Sequence, residues 1–297
     1  EEAVGLADRK TGVKATPETQ FRFGSMGKMF TEIAIFQLEA SGKLDLGAPI
    51  GRYLKDYPNQ AFAGTVTAAE LLTHSGGAGD IFGPDFMANR LKLKDLKDYV
   101  ALYGARAPEF PPGARTAYSN YGFILLGRII EEVSGLSYDD YLEANVFAPA
   151  AMRSSGMRPE SEVLPRRALA YTSAGGPLAS AADTLPYRGA SAGGGYATVG
   201  DMARFANALM AGRLLPKAAY AHLTTGGVTT ADGVFHPFDF TGKDPAGRRF
   251  LGHGGGAPGM NGELRIYPDQ GFIVVVLANR DPPAAQRLAA FIADRLP

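Results

Sequence analysis

No cysteine occurs among the 297 residues, so disulfides, thiol catalysis and cysteine-ligated zinc are excluded, whereas the compartment stays open because exported proteins need no disulfides. An excess of either charge is lacking as well, since 30 basic residues balance 30 acidic ones. A nucleic-acid or anionic-membrane surface requires a basic excess, and the pairs Arg166-Arg167 and Arg248-Arg249 stand isolated. The longest purely apolar run, Phe272 to Ala278, falls far short of the roughly 20 residues of a membrane span. No signal-peptide pattern is visible; Glu1 is not an initiator methionine, so a leader or anchor ahead of this numbering stays open. His-Glu-x-x-His is also missing, and the expectation is no metal and no cofactor. What remains is an ordinary globular composition, 45% apolar and 20% charged, with enough chain for a substantial core and one or two domains.

Strand signals stand at both ends. Gln20-Phe21-Arg22-Phe23 alternates as a strand after the turn-rich stretch Asp8 to Gly12. Near the other end, Glu263 to Tyr267 and Phe272 to Ala278 flank Pro268-Asp269-Gln270-Gly271 as a hairpin. The second of these strands is apolar on both faces and is expected to lie centrally in a sheet. Pro283 opens a last helix, with Leu288, Ala289, Phe291, Ile292 and Leu296 expected to face inward. Helical patterns dominate the middle: a capping box at Thr67 to Glu70, a strong apolar helix from Tyr121 to Val133 ending near Gly135, and another from Asp201 to Met210. The stretch Ser173 to Ala197, rich in Gly, Ser and Ala, has no sustained period and reads as a long loop lining something. This order predicts an α+β fold with one antiparallel sheet built from both termini, residues 1–49 and 225–297, and flanked by helices. A mainly helical inserted lobe, residues 50–224, completes it, with the active site at the interface. Order alone is also compatible with separate domains.

The chemistry gathers around Phe21-Arg22-Phe23-Gly24-Ser25-Met26-Gly27-Lys28-Met29-Phe30. A serine and a lysine three residues apart share one face if Ser25 sits in a first helical turn. Free backbone N–H groups and the positive helix end would there stabilise a forming alkoxide and depress the lysine pKa, and a neutral lysine activates a hydroxyl by taking its proton. Taken alone, the pair fits an ordinary capped helix start better than a nucleophile with its base. Two further clusters decide between them: Ala117-Tyr118-Ser119-Asn120-Tyr121 after a Pro-Pro-Gly turn, and Leu251-Gly252-His253-Gly254-Gly255-Gly256-Ala257-Pro258-Gly259 before the hairpin.

Together these segments resemble the serine beta-lactamase and penicillin-binding-protein superfamily, in the branch of class C beta-lactamases, D-Ala-D-Ala carboxypeptidases, D-aminopeptidases and esterases. Ser25-Met26-Gly27-Lys28 matches its Ser-x-x-Lys, Tyr118-Ser119-Asn120 its Tyr-x-Asn, and His253-Gly254-Gly255 its third triad, usually Lys-Thr-Gly. The likeness spans nearly the whole chain. It implies a beta-lactamase/transpeptidase-like fold and an acyl-enzyme on Ser25, with Lys28 and Tyr118 sharing the general-base task and Tyr118 favoured as phenolate beside an ammonium. Asn120 would hold Lys28 and the acyl side of the substrate, His253 and Gly255 would line the cleft, and the backbone N–H groups of Ser25 and Gly256 would form the oxyanion hole. Tyr196 is expected at the cleft edge. A periplasmic or secreted location is what the resemblance favours, with a cytoplasmic one open.

Two positions depart from the pattern. His253 replaces a lysine and offers one weaker donor, and Gly254 replaces a hydroxyl residue. Both changes disfavour penicillin-like acids, and the expected activity is a carboxylic-ester hydrolase of broad acyl tolerance on small molecules. A D-stereospecific peptidase or weak beta-lactamase acting on amide or peptide substrates is the alternative, and a non-catalytic penicillin-binding sensor the remaining one. No obligate protein partner and no nucleic acid is indicated. A Ser-His-Asp hydrolase is disfavoured because the Gly-x-Ser-x-Gly elbow is absent, and His74 reads as a loop-shaping residue bonded to backbone. The Gly-x-Gly-x-x-Gly at Gly254 to Gly259 lacks the strand-turn-helix setting of a nucleotide site.

Overall fold

The computed structural model describes residues 1–296; Pro297, the last residue of the expected sheet domain, lies outside the described residues. Strands β1 (Leu6–Asp8) and β2 (Val13–Lys14) pair antiparallel. Strand β3 (Phe21–Arg22) pairs instead with β4 (Tyr196–Ala197). Gly24, at φ 55°, then turns the chain into a short 3-10 segment, Gly24–Gly27, that runs into helix α1 (Lys28–Ala40). A left-handed φ favours glycine because it has no Cβ to clash. Helix α1 is buried on nearly every side: the Phe30 ring meets Phe23, Phe147 and Phe205 edge-on at 5.4, 5.2 and 4.9 Å.

The helices of the middle follow the sequence signals. Thr67 and Glu70 form the expected capping box ahead of α2 (Ala68–Leu72). Helix α3 (Asn120–Ser134) is capped by the Ser119 hydroxyl, which accepts from the Gly122 N–H, and ends at Gly135 with φ 75°. Helix α4 (Val199–Met210) is capped by Thr198. Among the described residues no helix is long and apolar enough to cross a membrane.

The main sheet is antiparallel, in the order β8-β7-β6-β5, from β5 (Thr241–Lys243), β6 (Arg249–Ala257), β7 (Met260–Tyr267) and β8 (Phe272–Ala278). The α+β class therefore holds, but the main sheet is hydrogen-bonded from C-terminal strands rather than from both termini. The reason is local: β3 ends after two residues where Gly24 diverts the chain, too short to extend the ladder. The N-terminal hairpin instead abuts the sheet through the Asn279 side-chain amide, which donates to the Leu6 carbonyl at 3.1 Å and the Leu169 carbonyl at 3.0 Å.

Two further expectations change. Strand β8 is an edge of the ladder and β7 the fully buried strand. Residues Ile273, Val275 and Leu277 of β8 face the main core, while Val274 and Val276 pack on helix α5 (Ala284–Ala293). Cover on both faces, not a central place, is what its apolar run records. In α5 the inward stripe is Ala285, Ala289 and Ala293, whereas Leu288 and Phe291 are exposed; small residues allow the helix to lie close against the sheet.

Packing also fixes where the third motif sits. A Cβ on Gly255 would overlap the Phe23 carbonyl oxygen and lie 3.1 Å from the Met26 nitrogen, and a Cβ on Gly24 would lie 3.0 Å from the Gly256 nitrogen. Strand β6 thus lies directly against the turn that carries Ser25. Substituting Gly255→Ala is expected to force the two apart, lowering stability by about 1–3 kcal/mol and activity by more than the stability loss explains. Thermal unfolding and residual turnover by the folded fraction check this; wild-type turnover in a stable variant would contradict the close approach.

Candidate active site

Ser25 lies in the 3-10 turn ahead of α1, partly exposed among buried neighbours. Lys28 follows as the first residue of α1 and is fully buried. Its ammonium nitrogen donates to Asn120 Oδ1 and to the Ala192 carbonyl, both at 2.7 Å. Neither partner is charged. Burial is the main cause that lowers the Lys28 pKa to about 7, against the opposing fields of Asp239, Asp80 and Glu32.

Tyr118 stands over Lys28, with Lys28 Nζ 4.8 Å from its ring centroid, and stacks at 4.4 Å on the His74 ring. Although Tyr118 is 48% exposed, loss of water around its hydroxyl pushes its pKa well above the usual tyrosine value. A hydrogen bond with the Ser25 side chain opposes that shift, and the carboxylates of Asp239, Asp80 and Glu32 reinforce it. The resting phenolate expected from the sequence is thereby disfavoured, chiefly by burial, with the fields of Asp239 and Asp80 adding to it. Asn120, the first residue of α3, accepts from Lys28 through Oδ1, and its Nδ2 donates to Asp80 at 3.0 and 3.3 Å. That arrangement fixes the amide orientation, since only the oxygen can face an ammonium and only the nitrogen a carboxylate.

The third motif sits on the part of β6 beyond its pairing with β5, which ends at Leu251, so residues 253–257 form a free edge. His253 Nε2 meets Asp239 Oδ2 at 2.8 Å, and its Nδ1 faces the Gly254 carbonyl. Asp239 Oδ2 also receives His74 Nε2 at 3.0 Å, while the Ser119 N–H donates to His74 Nδ1 at 3.1 Å. Since His74 Nδ1 accepts, its ring proton is on Nε2 and points at Asp239. Burial works to raise the Asp239 pKa, but the two imidazoles prevail and hold the carboxyl well below the usual range. His74 does shape its loop as the sequence suggested; it also sits at φ 58°, a strained conformation for a side chain that concentrates at functional sites.

A cleft of about 300 Å³ opens at Ser25. Its walls are mostly apolar, with Ile81, Phe82, Phe86, Met87, Pro258 and Met260 contributing, and the long loop supplies Gly193 and Gly194. Tyr196 does not reach this wall. Its pairing with Arg22 in the β3–β4 ladder buries it, with its ring 5.4 Å from the Arg167 guanidinium. Gly254 also differs from expectation: a Cβ there would meet Glu263 Oε2 and Gln286 Nε2, so a side chain at this position points to the helix α5 side, away from the serine.

The beta-lactamase family profile matches residues 1–296. This chain belongs to the beta-lactamase family. A penicillin-binding protein structure from Bacillus halodurans is similar to it at TM-score 0.84 and 33% identity, covering 98% of this chain and 91% of that one. A D-stereospecific amidohydrolase from Streptomyces is similar at TM-score 0.79 and 27% identity, covering 93% and 86%. Esterase EstB of Burkholderia gladioli is 33% identical over 52% of this chain and 42% of its own length. The chain spans 56% of the length of the Bacillus subtilis protein PbpX. These neighbours differ in the activities they are named for: penicillin binding, D-stereospecific amide hydrolysis and ester hydrolysis.

Three site residues escaped the sequence reading of this beta-lactamase family member. Asp239 carries no local signal, since its partners are 165 and 14 residues away. Asp80 was visible only as part of a loop. Glu32 did have a signal, an acidic residue one turn beyond Lys28 in an apolar helix; it is fully buried, both carboxyl oxygens lack partners, and burial raises its pKa far above the usual value. Among the described residues no cluster of metal-ligating side chains occurs.

The buried amine has a measurable consequence. With a folded pKa near 7 against an ordinary 10.5, the unfolded chain binds the extra proton between those values, so Lys28 makes stability rise with pH across that window. Denaturant titrations from pH 7 to 10 are expected to show this slope reduced in Lys28→Met relative to wild type. Parallel slopes would show that the amine is not desolvated.

Proposed function

We propose that this chain is a serine hydrolase working through an acyl-enzyme on Ser25, with carboxylic esters of apolar acids as preferred substrates. The observation that carries the reading is the desolvated Lys28, held by two neutral acceptors three residues beyond Ser25. Near pH 7 a large fraction of it is free amine, which takes the hydroxyl proton as Ser25 Oγ bonds to the ester carbonyl carbon. Tyr118, protonated at rest, gives its proton to the departing alkoxide as the carbon–oxygen bond breaks, and the Lys28 ammonium restores it. In deacylation a water attacks the acyl carbon, its proton passing to the same basic pair, and Ser25 leaves reprotonated. Backbone N–H groups of Ser25 and Gly256 would form the oxyanion hole, where charge develops, and Asn120 keeps the amine aimed.

Acyl preference rests on the apolar walls of the cleft. The one cation lining it, Arg188, is already paired with Asp139 and bonded to the Met157 carbonyl at 3.0 Å. A second reading, a D-stereospecific amidase, is supported by Asp80, a carboxylate held beside Asn120 that would suit a substrate ammonium, and by likeness to the Streptomyces amidohydrolase.

A panel of p-nitrophenyl esters, a cephalosporin chromogen and D-alanyl amides tests the choice. For esters, kcat/KM is expected to rise about threefold per added methylene until the cleft fills, with a rising pH limb near 7. Replacing Lys28 by alanine is expected to lower the rate about 100- to 10,000-fold. A dominant amide or lactam activity would move the assignment to the second reading, and activity surviving without Lys28 would remove the proposed base.

A further inference from the structure

Beside Tyr118, and sharing no lining residue with the acyl cleft, lies a second groove of about 190 Å³, lined by Thr73, His74, Thr116, Tyr118, His236, Pro237 and Asp239. Because the proposed proton donor Tyr118 forms part of its wall, a leaving group being protonated by that phenol would extend into this groove. No lysine or arginine lines it. We propose that this groove is the leaving-group subsite and that Asp239 makes it selective for neutral or cationic alcohols and amines, excluding leaving groups that carry a carboxylate. This inference rests on the acyl-enzyme reading above.

The argument turns on how the third motif is engaged. A lysine in that triad would present a cation to an anionic substrate. Here the residue is His253, and both of its ring nitrogens already face acceptors within the protein, Nε2 the Asp239 carboxylate and Nδ1 the Gly254 carbonyl. No ring N–H is left for a substrate carboxylate. His74 is likewise committed on both sides, accepting from Ser119 N–H through Nδ1 and donating to Asp239 through Nε2. Lys28 is turned toward Asn120 and Ala192. The remaining lining imidazole, His236, is half-buried in the strand Phe235–Pro237, which pairs with Gly227–Thr229, and forms no ion pair with Asp239 among the described residues.

Asp239 has 23% of its side chain exposed, so its charge is felt in the groove as well as by the two rings. Both imidazoles approach the same oxygen, Oδ2, and among the described residues no hydrogen bond engages Oδ1. A cationic or hydroxyl-bearing leaving group would find an acceptor at that oxygen, whereas a carboxylate would meet like charge with no lysine or arginine among the described lining residues to offset it. Repulsion in a partly buried groove is screened less than at an open surface.

Three aryl esters with one acyl group and matched leaving groups test this: 3-carboxyphenyl, 3-carbamoylphenyl and 3-(trimethylammonio)phenyl. In the wild-type protein kcat/KM, corrected for intrinsic hydrolysis rates, is expected to fall by about tenfold from cationic to anionic ester at low salt. Added salt should raise the rate on the anionic ester and lower it on the cationic one. In Asp239→Asn the anionic-to-cationic ratio should rise about tenfold, and Asp239→Glu, which keeps the charge, should retain the wild-type order. The wild-type ranking and its salt dependence need no variant, so they stand even if Asp239→Asn fails to fold. Equal rates on all three esters, or faster turnover of the carboxylate, would overturn the subsite while leaving the acyl-enzyme reading in place. No turnover of any ester would overturn that reading and the subsite with it.

Discussion

The site depends on removing water from one amine. A lysine at the protein surface stays charged at neutral pH and takes no proton from a serine. Lys28 is placed where only neutral acceptors, Asn120 Oδ1 and the Ala192 carbonyl, meet its nitrogen, so burial lowers its pKa to about 7. Three carboxyl groups lie near enough to reverse this. The structure keeps each from direct contact: Asp80 bonds the opposite end of the Asn120 amide, Asp239 is held between two imidazoles, and Glu32 is buried without a partner. Burial of Glu32 favours its neutral acid, and a neutral Glu32 applies no full negative charge one helical turn from the amine. An ionised Glu32 would act in the opposite direction, favouring the Lys28 ammonium.

Such a balance requires close packing from three directions. The aromatic contacts of Phe30 seat α1 deeply enough to bury Lys28, α3 brings Asn120 to it, and β6 closes the other side only because Gly255 carries no side chain against Phe23. A loose site would admit water beside the amine and return its pKa toward the ordinary value. Packing and reactivity are therefore one property here: the same contacts that dehydrate the lysine set the distance between the strand and the serine turn.

Much of this was legible in the chain. Ser25, Lys28, Tyr118 and Asn120 belong to motifs whose spacing survives in sequence, and caps such as Thr67 with Glu70, or Gly135 after α3, are local and so readable. Long-range pairings were not. Whether Phe21-Arg22 joins the main sheet or pairs with Tyr196-Ala197 depends on a partner about 175 residues away, and the same pairing withdrew Tyr196 from the cleft. In and just beyond α5 the expected Ala289, Ile292 and Leu296 do pack on the sheet, but Leu288 and Phe291 were misjudged because size was read as burial, whereas the close approach selects Ala285 and Ala293 beside Ala289. Asp239 lies in an unremarkable Pro-Phe-Asp-Phe stretch, and only the fold brings it to His74 and His253.

Asp239 also changes what the histidine of the third motif means. Read as a single substitution, histidine for lysine is a weaker cation in the same place. In the folded chain the substitution comes with a carboxylate, and the pair contributes no net positive field even if the ring is protonated. The electrostatics of the leaving-group side therefore differ in kind from those of a lysine-bearing site, while Ser25, Lys28 and Tyr118 need no adjustment. On the proposed leaving-group side, the residue that would set substrate charge is Asp239, which lies outside the Ser-x-x-Lys, Tyr-x-Asn and third motifs.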